Sequence, residues 1–216
     1  MPNWFPIVVA IVAALGYGLF RERLRASGVE RWAQAHGFAR PVPFAPVAHA
    51  AAVTLSKRLH VHGARIWGIG LEGFVDALPC TIAEHECTGT GSRQTGEWFT
   101  LVVWPIRESA GPLIVWRAPS VTPLMNAGVA GRLGVDGQDA ATLRLTTPGG
   151  ILVEAEPRVR DAWLTPDRIR ALEAWPHGGV LVRDAGYAAW RLPGALWAGR
   201  LEQLLTQIPE ARRLMM

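Results

Sequence analysis

The stretch PCTIAEHECTGTG, residues 79–91, carries the most chemistry per residue in the chain, with His85 and Cys87 two apart and Cys80 seven before Cys87. A second pair, His60 and His62, lies upstream in HVH. On a strand, residues two apart share a face at ~7 Å, so each pair offers two ligands in one direction. Neutral imidazole and thiolate are zinc ligands, and four of them would converge if the two strands were neighbours. Nothing in the sequence makes those strands neighbours, so the plainer reading is four ordinary surface or half-buried side chains. The two cysteines do not form a redox pair. Seven apart on a strand they face opposite ways at ~23 Å, on a helix they are ~10 Å apart, and a disulfide needs Cα atoms within ~7 Å.

Other patterns dissolve on inspection. Gly68, Gly70 and Gly73 spell G-x-G-x-x-G, but a dinucleotide site needs a helix opening at the last glycine to hold the pyrophosphate. FVDALPC follows instead, with a proline and strand-like residues, so these are expected to be strand or bulge glycines. GTGSRQTG (89–96) lacks the Gly-Lys-Ser/Thr ending of a phosphate loop and reads as a hairpin tip. There is no G-x-S-x-G elbow and no cysteine-protease signature. Asp161, Asp167 and Asp184 fall at turns or helix starts, where carboxylates cap or solvate. The ten tryptophans invite a sugar-stacking reading, yet Trp104 and Trp116 sit inside apolar runs and are expected in the core. No catalytic residue, metal ligand or cofactor contact is assigned.

The elements that would position these residues follow from periodicity. RIWGIGLEGFVDALPCTIAEHEC (65–87) and EWFTLVVWPI (97–106) read as strands joined by the glycine-rich tip. In the second, Trp98, Val102 and Trp104 share one face and Phe99, Leu101 and Val103 the other, so it should be central and covered on both sides. GPLIVWRAP adds a strand, and Thr122-Pro123 starts a helix over Pro123–Leu133. TLRLTTPGGILVEAE (142–156) is a hairpin turning at Pro148-Gly149-Gly150. Thr165 caps a helix through Trp175 with Pro166 at its first position. GGVLVRDAGYAAWRL is a hairpin around Asp184-Ala185-Gly186. A final amphipathic helix, ALWAGRLEQLLTQI, groups Trp197, Leu201, Leu204, Leu205 and Ile208, with Leu196 at the edge. The expected fold is α+β: a mainly antiparallel sheet domain closing in a helix–hairpin–helix.

The N-terminus is of another kind. Trp4–Phe20 runs 17 residues without a charge. As a helix it reaches ~25 Å, the short end of what spans a bilayer. Arg21, Arg23, Arg25 and Arg31 follow on one side only, which is opposite to a signal peptide and places that side in the cytoplasm. A buried core helix would be amphipathic, and this run is not. Charge is split the same way: residues 1–66 carry eight basic and two acidic residues, net +6, and residues 67–216 carry 14 and 16, net −2. The basic pI of about 9.8 therefore points to a membrane surface and not to nucleic acid. Expected boundaries are a transmembrane anchor at 4–20, a juxtamembrane helix and proline-rich linker at 21–46 (Arg21–His36 continuing the anchor as a polar helix, Gly28 as a break, Gly37 as the helix stop, RPVPFAP as linker), and a soluble domain at 47–210. A short helical segment is expected around Ala48–Ser56.

The succession of an apolar N-terminus, RWAQAHGF (31–38), GLEGFVDALPCTIAEHECTGTGSRQTGEWFTLVVWP, and LTPDRIRALEAW with its trailing hairpin and helix resembles a group of uncharacterised bacterial membrane-anchored proteins, a family of unknown function. The resemblance implies location and architecture, with no activity. The expectation is a single-pass inner-membrane protein whose domain, on the cytoplasmic side, is a noncatalytic interaction or scaffold module. The lipid bilayer is its one definite partner, and a protein partner is left unnamed. The alternative is a membrane-tethered metal-dependent hydrolase built on the two histidine-containing pairs.

Overall fold

A computed structural model describes residues 4–40, 68–87, 97–106, 111–117, 144–184 and 186–216. The chain begins with helix α1 (Phe5–Ala35), followed by β1 (Gly70–Val75), β2 (Leu78–Cys87), β3 (Glu97–Pro105), β4 (Leu113–Arg117), β5 (Arg144–Thr146) and β6 (Ile151–Ala155). Two short helices follow, α2 (Pro157–Trp163) and α3 (Pro166–Ala174), then strands β7 (Val180–Asp184) and β8 (Tyr187–Pro193) and the closing helix α4 (Ala198–Met215). The strands form one eight-stranded sheet in the order β1-β2-β3-β8-β7-β4-β6-β5. Each neighbouring pair in that order is antiparallel. The expected α+β class with a mainly antiparallel sheet is what the chain adopts.

The ladder register sorts side chains by face. Ile82, Val102, Trp190, Leu181, Val115 and Val153 are cross-strand neighbours on one face. They join the core formed with Val29, Trp32, Ala33, Trp163, Leu172, Leu201, Leu204 and Ile208 of the helices. Ala83, Leu101, Val103, Ile114, Val182 and Ala189 point from the other face and are also buried. β3 lies between β2 and β8 with Leu101, Val102, Val103 and Trp104 all buried, as its doubly apolar pattern requires.

Local signals account for much of the chain. Thr165 caps α3 by accepting the Arg168 N–H at 3.3 Å, with Pro166 in the first turn. Glu173 of α3 accepts from Thr147 Oγ1 and from the Gly149 N–H, each at 2.8 Å, which secures the turn between β5 and β6. Gly37 takes φ +71 at the end of α1, where a glycine ends a helix without strain.

Several expectations change. α1 is one 31-residue helix that continues through Gly28. Among the described residues, no helix is long and apolar enough to cross a membrane. The expected transmembrane anchor at 4–20 is thus the first half of a longer helix, whose apolar run passes directly into Arg21, Glu22, Arg23 and Arg25. The second half packs into the domain through Val29, Trp32 and Ala33. The run 65–87, expected as one extended stretch, folds back in its described part at Asp76-Ala77 to make β1 and β2. α2, which sequence reasoning passed over, starts at Pro157. α4 runs past 210 through Pro209, burying Ala211, Leu214 and Met215. Trp197, placed on the apolar face of α4, instead precedes its first turn and is 52 % exposed. The proline-rich linker, Ala48–Ser56, the tip at 89–96 and Pro123–Leu133 lie outside the described residues.

Candidate functional site

The densest polar arrangement among the described residues lies where α1 leaves the sheet. Glu84, on the helix-covered face of β2, is fully buried. Its Oε1 accepts from Arg25 Nη1 of α1 and from the Leu196 N–H just before α4, and its Oε2 accepts from the Ile69 N–H at 3.2 Å. Arg25 Nη1 also donates to the Leu196 carbonyl at 2.7 Å. One carboxylate and one guanidinium thus tie together α1, the entry to β1, β2 and the loop into α4. Arg25 also pairs with Glu22, the first of the contacts that raise its pKa above the usual guanidinium value, ahead of Glu84. The same hydrogen bond lowers the pKa of Glu22. The buried carboxylate is compensated by charge and by amide donors, the condition on which an ionised group survives in a core.

The glycines of the G-x-G-x-x-G pattern serve this packing. A Cβ at Gly68 would meet Glu84 Oε2 at 2.5 Å, and one at Gly73 would meet the Phe38 ring at 2.6 Å. Gly70 and Gly73 lie in β1, and a hairpin follows them, with no helix N-terminus to receive a phosphate. Phe38 is thereby seated beside Trp32, with ring centroids 5.4 Å apart.

The four side chains weighed as zinc ligands fare differently from one another. His60 and His62, and the side chain of Cys87, lie outside what the structure describes. Among the described residues no group of three or more His, Cys, Asp or Glu could hold a metal ion. His85 is buried on the sheet's second face, its ring 5.6 Å from that of Phe99, and the Arg191 guanidinium lies over the same Phe99 ring at 3.6 Å from its centroid. Burial first, and the Arg191 charge second, lower the His85 pKa to about 3, so the ring is neutral at pH 7.

Cys80 is a buried free thiol whose pKa burial pushes up to about 12, against the opposing charge of Arg212. This is the reverse of a nucleophile's environment. Arg212 of α4 spends its donors on the hairpin below, giving hydrogen bonds to the carbonyls of Val75 at 2.6 Å, Leu78 at 3.3 Å and Pro79 at 2.9 Å. Glu84, Arg191 and Arg212 went unnoticed in the sequence, and Arg25 was read only as one of the basic residues following the apolar run. The one available signal was Glu84 itself, an acid two residues after Ile82 on the strand face that also carries Cys80.

Clefts also open at two places on the surface of the described residues. One, of about 200 Å³, lies between α1 and the β1 edge and is lined by Val29, Ala33, Phe38 and Leu71. The other, of about 370 Å³, lies between the start of α4 and the 176–178 segment and contains His177, Trp197, Arg200, Gln203 and Gln207.

An antiparallel sheet backed by helices on one face, with a long N-terminal helix leaving it, is the class of fold defined by this geometry. Among solved structures the chain is similar to the mycobacterial trehalose monomycolate transport factor A, TtfA, with TM-score 0.50, 10 % identity, and coverage of 92 % of this chain and 94 % of that one. At that identity the likeness concerns the fold. No family model matches the chain, and no curated protein matches it.

Proposed function

We propose that this protein is a membrane-attached, noncatalytic interaction module whose apolar N-terminal half-helix lies in lipid. The observation that carries the reading is the bare apolar surface of that half. Ile7, Val8, Val9, Ile11, Val12, Leu15, Leu19 and Phe20 are each at least 50 % exposed, on all sides of the helix. A helix apolar all round belongs in a core or in lipid, and these residues have no place in the described core. Arginines at 21, 23 and 25 then mark the headgroup level, and the domain lies on their side, the cytoplasmic side by the positive-inside rule. The Arg25–Glu84 tie makes the half-helix a rigid extension of the domain. TtfA is described as a transport factor, and a role of that kind is in keeping with this reading. The buried, neutral His85 and the high-pKa Cys80 favour no hydrolytic chemistry.

The test is fractionation of the full-length chain. Wild type should stay in carbonate-washed membranes, and a Val9→Arg/Val12→Arg chain should move to the supernatant, because each arginine costs about 2.5–3.5 kcal/mol in the bilayer centre. Wild type in the supernatant overturns the attachment. Purification from detergent-solubilised membranes should reproducibly bring down a protein partner, and failure to do so sinks the scaffold role.

A further inference from the structure

We propose that the cleft between the start of α4 and the 176–178 segment binds a phosphate group, carried by a lipid headgroup or by a soluble phosphate ester. The cleft holds about 370 Å³, within the range of small-ligand sites. Its lining contains an arginine, a histidine and two glutamines, and no carboxylate. An anion therefore finds donors there, and a cation finds no ionised ligand.

Arg200 is the centre of the inference. It is half-buried, and desolvation lowers its pKa, with only the more remote charge of Glu84 acting the other way. Its guanidinium makes no hydrogen bond or ion pair among the described residues. A guanidinium offers five N–H donors in a planar fork that matches two phosphate oxygens. Room for it is provided by Gly194, where a Cβ would meet Arg200 Nη1 at 2.7 Å. Gln203 and Gln207, one helical turn apart on α4, add carboxamide donors along the same wall. His177 closes the opposite side, its Nε2 3.9 Å from Glu210 Oε2. The floor is already satisfied, since Trp190 Nε1 donates to the Gly178 carbonyl at 3.0 Å. The free donors thus belong to the walls, where a ligand would enter.

Position favours a lipid source, and this part rests on the membrane reading above. Trp197, half-exposed at the cleft, directly follows Leu196, whose carbonyl accepts from Arg25 at the point where α1 leaves the domain. An amphipathic indole beside an arginine, next to a lipid-embedded helix, is a pairing suited to the headgroup layer.

Calorimetric titration of the full chain in a nonionic polyoxyethylene detergent tests this, with dihexanoylphosphatidylglycerol and sn-glycerol 3-phosphate as probes. Saturable binding is expected, weakened about tenfold or more in Arg200→Gln and to an intermediate degree in Arg200→Lys, which keeps the charge and loses the fork, both checked for an unchanged melting curve. If the lipid binds more tightly and Trp197→Ala removes the excess, the source is a headgroup; equal binding of the two probes assigns a soluble ester. Failure of both probes, or wild-type binding by Arg200→Gln, overturns the site. The membrane reading is scored separately: Arg200→Gln should still sediment with washed membranes, and Val9→Arg/Val12→Arg should still bind glycerol phosphate.

Discussion

Arg25 of α1 and Glu84 of β2, 59 residues apart in the chain, form an ion pair in which the carboxylate has no solvent exposure. The pair ties the N-terminal helix to the sheet and to the loop before α4, because Leu196 donates to Glu84 and accepts from Arg25 at once. Removing one member strands the other. Glu84→Gln keeps the shape and leaves Arg25 partly unpaired, while Arg25→Ala leaves a buried carboxylate without its cation. Arg25→Ala should lower unfolding free energy by about 3 kcal/mol, and Glu84→Gln by less. Urea denaturation of the two variants measures both, and an Arg25→Ala loss below about 0.5 kcal/mol would remove the pair's structural role.

The turn between β1 and β2 holds its two central residues in the left-handed region, Asp76 at φ 52 and Ala77 at φ 59. An L-residue with a Cβ is strained there by roughly 1–2 kcal/mol, and glycine is not. Asp-Gly is the favoured pair for such a two-residue hairpin turn. Ala77→Gly should therefore stabilise the protein by about 0.5–1 kcal/mol, net of glycine's greater freedom in the unfolded chain. A lowered melting temperature would contradict the turn geometry.

His85 ties stability to acid. Its folded pKa of about 3 lies below the ordinary value of 6.5, so the unfolded chain takes up the proton first. The contribution of the neutral ring is complete above the ordinary value and is lost progressively as pH falls from there toward the folded pKa. Between pH 7 and pH 5 the wild type should lose about 2 kcal/mol more than a His85→Gln variant. Parallel curves for the two proteins across that range would show that the ring is solvated.

Cys80 should be inert in the native state. A thiol pushed up to about 12 carries almost no thiolate at pH 8. Iodoacetamide should modify it only as fast as the protein opens, and addition of urea should release it. Native modification at the rate of a free thiol would place the side chain at the surface.

Arg212 shows why parts of this molecule were legible in the sequence and others were not. The turn at Pro148-Gly149-Gly150, the Thr165 cap and the apolar faces of β3 depend on residues within a few positions of each other, and all were readable from periodicity and turn chemistry. The Arg212 contacts to Val75, Leu78 and Pro79 join positions more than 130 residues apart. A basic residue near the end of a helix looks solvent-facing until the hairpin that needs its donors is placed beneath it. The same holds for Trp197, whose apolar neighbours predicted burial; the start of α4 one residue later turned it outward.

By itself the sequence determined the α+β class, the central place of β3, the positions of most turns and the contrast between a charge-free N-terminus and the mixed domain after it. Those properties follow from side-chain type at short period, which the backbone geometry of helix and strand reads directly. The strand order, the joining of Arg25 to Glu84, the burial of His85 and the gathering of His177, Trp197 and Arg200 around one cleft were decided by tertiary structure alone. Each depends on which apolar faces find one another, and electrostatic partners are chosen only after that packing has set their distances and removed their water.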